Sequence, residues 1–113
     1  FSKISITQIT FGPLIPNNCQ HISHIFYILL PDIESRKDFL RKMNHIGVNC
    51  AFHYVPLHTS PAGKIYGRAS GKLEVTNDIS ERLVRLPLYP DMSLTQVDTI
   101  VNNILDFFND QVK

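Results

Sequence analysis

The chain contains no tryptophan, only two cysteines and almost no excess of charge, with 11 Lys and Arg against 10 Asp and Glu in 113 residues. Each shortage closes off a class of protein. Two thiols, Cys19 and Cys50, make at most one bridge, which excludes a disulfide-stapled scaffold and suits a reducing compartment equally well. Basic and acidic residues are interspersed, so no extended positive field exists to neutralise a nucleic-acid backbone. The longest apolar run, residues 25–30, falls far short of the ~20 residues that span a bilayer, and no charged-then-apolar leader opens the sequence. The expected setting is cytoplasmic, with neither nucleic acid nor membrane as partner. Ready-made catalytic signatures are missing too: Ser60, Ser70 and Ser80 sit in no nucleophile elbow, no glycine-rich phosphate loop follows a strand, and no carboxylates pair across a plausible cleft.

What is present suffices for one small core, burying roughly two thirds of the unfolded surface. The first residue is Phe1 rather than methionine, and the chain reads as a piece of a longer polypeptide. Residues 1–22 read as a connector with a short strand marked by Ile4, Ile6 and Ile9, followed by turn residues Gly12, Pro13, Pro16, Asn17 and Asn18. The segment HIFYILL, residues 24–30, is β-branched and aromatic, as in a strand covered on both faces. Asp32 or Ser35 caps a helix whose stripe is Phe39, Leu40, Met43 and Ile46, and Gly47 stops it. Alternation from Val48 to Tyr54 predicts a second strand with Cys50, Phe52 and Tyr54 on the apolar face and His53 on the other. A stretch from Pro56 to about Asn77 lacks sustained periodicity and reads as a long binding or mobile loop.

Asn77 or Asp78 then starts a short helix carrying Ile79, Leu83 and Leu86, broken by Pro87, with a short edge strand at residues 86–89. Ser93 and Gln96 form a capping box ahead of a long stripe, Leu94, Val97, Ile100, Val101, Ile104, Leu105 and Phe108. The expected fold is α/β in two layers, a small mixed sheet with helices packed on one face.

The densest polar cluster runs from His53 through Tyr54 and Pro56 to His58, where the second strand gives way to the long loop. Strand ends beside loops are where open α/β folds place ligands, and Pro56 fixes the backbone so that imidazole and phenol groups are held in a set geometry. The plainer reading makes His53 an exposed strand residue, Tyr54 core and His58 loop surface. Zinc binding by Cys50, His53 and His58, or by Cys19, His21 and His24, lacks a paired ligand knuckle, and Cys50 suits an apolar face. Lys64 and Tyr66 in the glycine-containing loop could touch a phosphate or sugar, or be simply solvated. Arg82 and Arg85, three apart on the short helix, could form a cationic edge for a diphosphate or merely its wet face.

Phe26-Tyr27, His53-Tyr54-x-Pro56-Leu57-His58, Ser60-Pro61-Ala62-Gly63 and Leu86-Pro87-Leu88-Tyr89 leading to Leu94 occur in an order that resembles the C-terminal domain of DegT-type sugar aminotransferases. Within that family the likeness leans to the dTDP-4-amino-4,6-dideoxygalactose transaminases of surface-polysaccharide synthesis. It covers about residues 23–108. The resemblance implies the small domain, residues 23–113, of a fold type I enzyme that uses pyridoxal phosphate to move an amino group from glutamate to a nucleotide-linked 4-keto-6-deoxy sugar. It also implies a large N-terminal domain that holds the cofactor on a lysine, and a homodimer with the active site at its interface. None of Lys3, Lys37, Lys42, Lys64, Lys72 and Lys113 stands in the family's cofactor-lysine context, so the cofactor is expected on that other domain and this chain alone is expected to be inactive. Matched to the family motif, His53, Tyr54, Pro56 and His58 are the implied substrate contacts. Two alternatives stay open: a stand-alone, non-enzymatic module binding a small ligand or protein, and a relative that dehydrates sugars on the same cofactor.

Overall fold

The computed structural model describes residues 15–111; the short strand expected around Ile4–Ile9 lies outside them. In chain order the elements are β1 (Tyr27–Leu29), α1 (Ile33–His45), β2 (Ala51–Phe52), a 3-10 turn (Leu57–Thr59), α2 (Pro61–Tyr66), α3 (Glu74–Arg82), β3 (Leu83–Arg85) and α4 (Leu94–Gln111). The sheet order is β1-β3-β2. Ile28 pairs with Val84, and Val84 in turn with Phe52, in two antiparallel ladders. The α/β class stands, but the sheet is not mixed. β1 and β2, joined through α1, run parallel to each other with β3 inserted between them, so every ladder is antiparallel.

Local chemistry sets the helix ends. The Asp32 carboxylate accepts the Ser35 backbone N–H at 2.8 Å, and that bond holds its pKa below the ordinary 3.8. Gly47, at φ +82°, lets the chain turn out of α1, a conformation that strains any residue with a Cβ. Ile46 therefore falls at the cap, exposed, and leaves the apolar stripe to Phe39, Leu40 and Met43. At the start of α4 the capping box is reciprocal: Ser93 N donates to Gln96 Oε1 at 2.8 Å, and Gln96 N donates to Ser93 Oγ at 3.2 Å.

The core lies on one side of the sheet. Ile28 and Val84 point toward α1 and α4, where Phe39 packs edge-on to Phe107 at 5.1 Å and against Phe108 at 5.9 Å, with Met43 and Ile104 fully buried beside them. Cys50 belongs to this core; burial pushes its thiol up to about 12, so it behaves as a small apolar side chain. Both cysteines are free.

The opposite face of the sheet, with Tyr27, Leu29, Leu83 and Arg85, is only half-buried. The 24–30 segment is thus sealed on one face rather than two.

The region after Pro56 departs furthest from expectation. Instead of one long loop it holds the 3-10 turn, α2 and α3. Ser60 caps α2 through its Oγ, accepting Gly63 N at 2.9 Å, with Pro61 in the first helical position. A Cβ on Gly63 would fall 1.6 Å from the Leu57 carbonyl oxygen, so only glycine allows α2 to fold back on the 3-10 turn. α3 starts at Glu74, ahead of Asn77, because Leu73 supplies the turn in the left-handed region at φ 49°. Leu83 and Leu86, expected on a helix, belong to β3 and its continuation: Leu86 N donates to Phe26 O at 2.9 Å. Consequently β3 is the central strand, not an edge strand at residues 86–89.

Candidate functional site

β2 ends at Phe52, and the chain then leaves the sheet as an extended strap to Pro56, whose φ of −57° and ψ of 136° hand it to the 3-10 turn. Across from the strap runs α3. Between them lies a cleft of about 490 Å³ walled by His53, Tyr54, Pro56 and Leu57 on one side and by Val75, Thr76, Ile79, Ser80 and Leu83 on the other. That size is within the range of small-molecule sites, and the mixture, mostly apolar with a few polar groups, is what such sites use to fix orientation.

The polar groups differ in how far they are already engaged. Ser80 Oγ donates to Asn77 O at 2.8 Å and is spent within α3. His53 is half-buried, and its Nδ1 is shielded from water without a hydrogen-bond partner. Tyr54 is 76% exposed, its ring edge-on to His53 at 5.3 Å and lying under the Arg85 guanidinium at 5.7 Å. Exposure at that level removes Tyr54 from the core, where the alternation had placed it. Phe52 also stands open, at 52%, with the Arg36 guanidinium over its ring. Behind the strap a second recess of about 210 Å³ contains Arg36, whose Nη1 donates to Ser80 O at 2.7 Å and thereby ties α1 to α3.

Of the four expected substrate contacts, His53, Tyr54 and Pro56 come together on the cleft wall and His58 does not. Asn77 Nδ2 donates to Lys72 O, which leaves Asn77 Oδ1 as an acceptor, and His58 Nε2 meets it at 2.7 Å. His58 thus carries its proton on Nε2 and clamps the 3-10 turn to α3. None of Leu57, Val75, Ile79 and Leu83 was expected at the site: Leu57 stood only within the motif, Ile79 and Leu83 only as the stripe of a short helix, and Val75 inside the presumed loop. The i, i+4 spacing of Val75, Ile79 and Leu83 was the available signal, hidden by the assumption that an Asn or Asp must open the helix.

Arg82 and Arg85 do not share a helix face. Arg82 ends α3, its Nε donating to Leu30 O at 2.8 Å and its Nη1 paired with Asp78 at 2.8 Å, whereas Arg85 sits on β3. Among the described residues, no group of three or more His, Cys, Asp or Glu is arranged to hold a metal ion. Nor do the described residues fit pyridoxal phosphate. No lysine lines either recess, Lys37 and Lys42 are paired with Glu34 and Asp110, and Lys64 and Lys72 stand exposed. No described helix is long and apolar enough to cross a membrane.

Three comparisons relate the chain to known proteins. The model of the DegT/DnrJ/EryC1/StrS aminotransferase family matches residues 4–105. Over 100 residues the chain is 27% identical to an uncharacterised protein of Methanocaldococcus jannaschii, covering 82% of this chain and 26% of that protein. It is 24% identical over 92 residues to the dTDP-3-amino-3,4,6-trideoxy-alpha-D-glucose transaminase of Micromonospora megalomicea, covering 81% and 24%. Its fold matches the crystal structure of the aminotransferase TlmJ from Streptoalloteichus hindustanus with a TM-score of 0.83 at 22% identity, over 96% of this chain and 28% of that one. The chain therefore spans about a quarter of the length of the curated relatives it matches.

Proposed function

We propose that this chain, which belongs to the DegT/DnrJ/EryC1/StrS aminotransferase family, is the small C-terminal domain of an enzyme that moves an amino group from glutamate to a nucleotide-linked 4-keto-6-deoxy sugar for lipopolysaccharide or other surface-polysaccharide synthesis. Residues 1–22 are the connector and 23–113 the domain. The rest of the polypeptide, a large N-terminal domain, binds pyridoxal phosphate and carries its lysine, and two copies form the working dimer in the cytoplasm.

The observation that carries this reading is the cleft wall at the end of β2, where His53, Tyr54 and Pro56 stand together facing the apolar side of α3. A 6-deoxy sugar has a methyl group in place of the hydroxymethyl at C6, and Leu57, Val75, Ile79 and Leu83 offer the apolar wall that a methyl requires. The open Tyr54 ring can stack on a sugar or base face, and the half-buried His53 ring stands edge-on beside it. Pro56 holds both at fixed spacing, and His58, through Asn77, fixes the distance between the two walls. These groups orient the sugar. The cofactor supplies the chemistry of amino transfer, and no residue described here takes the role of its lysine.

The test is optical. The complete polypeptide, mixed with pyridoxal phosphate, is expected to show the absorbance of lysine-held cofactor, to lose it on addition of glutamate and to regain it with the keto sugar nucleotide. A folded protein that binds no cofactor contradicts the reading. Cofactor binding with loss of water from the sugar and no response to glutamate reassigns it to a dehydratase.

A further inference from the structure

Arg82 and Arg85 are three residues apart and chemically alike, yet their surroundings differ in kind. Arg82 is satisfied within the chain by Asp78 and by the Leu30 carbonyl. Arg85 takes part in none of the ion pairs among the described residues, and its Nε is shielded from water with no hydrogen-bond partner. A guanidinium keeps its charge at any accessible pH and presents five donors in a planar fork. Leaving such a donor buried and unpaired costs free energy in the isolated chain.

Arg85 Nε is closed to a ligand as it is to water, so an incoming acceptor meets the Nη groups, which make no hydrogen bond among the described residues. β3 places Arg85 between Tyr27 and Ala51, on the sheet face turned away from α1 and α4. Beside it opens a recess of about 220 Å³ that also holds His24 and Asn49 and has no carboxylate in its lining. That volume suits a compact anionic group rather than a whole nucleotide. Tyr54 stands between the large cleft and Arg85: it lines the cleft, and its ring centroid lies 5.7 Å from the Arg85 guanidinium. A molecule lying against Tyr54 thus brings a charged end within reach of Arg85.

We infer that Arg85 is the anion-recognising residue of this site, binding an oxyanion of the substrate whose uncharged part lies along Tyr54 in the cleft. The inference rests on the aminotransferase reading, under which two substrates carry such a group: the phosphates of the nucleotide sugar and the carboxylates of glutamate. Both match the guanidinium fork in bidentate geometry.

The experiment uses the complete polypeptide in two arms. In the first, Arg85→Gln is expected to raise the apparent KM for one of the two substrates by roughly ten- to hundredfold, the range of a lost charge-assisted hydrogen bond, and to leave the other unchanged. Arg85→Lys is expected to restore part of the loss. The substrate whose KM moves is the source of the anion. An enzyme with both KM values unchanged, or both raised alike without rescue by lysine, overturns the inference while leaving the aminotransferase reading intact.

The second arm needs neither a variant nor turnover. Phenylglyoxal modification of Arg85 in the wild-type protein, followed by mass spectrometry, is expected to be suppressed by inorganic pyrophosphate or by glutamate. Modification undiminished by either overturns it. So does an Arg85 that is unreactive in the free protein, since its guanidinium is then already occupied.

Discussion

The two faces of the small sheet follow opposite rules. On the α1 and α4 side, Val84 is 0% exposed and Phe39, Met43 and Ile104 close over it, with no buried polar side chain in the cluster. On the other side and along the strap that leaves β2, large apolar groups stand in solvent, with Leu57 at 84% and Tyr54 at 76% exposure. A chain that folds only for itself has no reason to leave so much apolar surface open around a cleft. The sealed face explains the fold, and the open one makes sense when something outside residues 15–111 lies against it, which in the account above is substrate and the rest of the polypeptide.

That contrast can be broken by mutation. Phe39→Ala removes a fully buried ring that touches Phe107 and Phe108 and is expected to cost about 3–5 kcal/mol, read as a lower urea midpoint with unchanged slope. A small loss would mean that the helical face is looser than its packing indicates. Tyr54→Ala is the counterpart. It gives up only a ring contact and a cation–π stack at an exposed site, so its stability cost is expected to stay under about 1 kcal/mol, while affinity for the sugar nucleotide falls severalfold. If Tyr54→Ala unfolds the protein as Phe39→Ala does, the open face is structural and the distinction fails.

The sealed face was also the legible one. Asp32, Gly47 and the Ser93–Gln96 pair are local signals, each acting within a few residues through a hydrogen bond or a permitted φ, and each is realised where the sequence places it. The apolar stripe of α4 is equally local, apart from Leu94, which stays exposed. β3 was hidden for the opposite reason. Ile79, Leu83 and Leu86 fit a helical period, and only pairing with β1 and β2, far away in sequence, makes Leu83–Arg85 a strand.

α2 had a readable start in Ser60-Pro61, but its return onto the 3-10 turn depends on Gly63 passing a carbonyl that no local pattern announces. The cleft was half-legible on the same grounds. His53, Tyr54 and Pro56 form one contiguous motif, whereas the opposing wall comes from α3 and required the tertiary fold. His58 shares the motif yet turns away, because Asn77 offers its ring an acceptor.

The central claim is that the strap and α3 form one side of a sugar-nucleotide site completed by the rest of the enzyme. Amide hydrogen exchange of the complete, cofactor-loaded protein with and without the keto sugar nucleotide tests it most directly. The account predicts slower exchange on binding at residues 53–57 and 75–85, with α1 and α4 unchanged. Protection confined to other parts of the polypeptide, with those two segments exchanging as before, would contradict it.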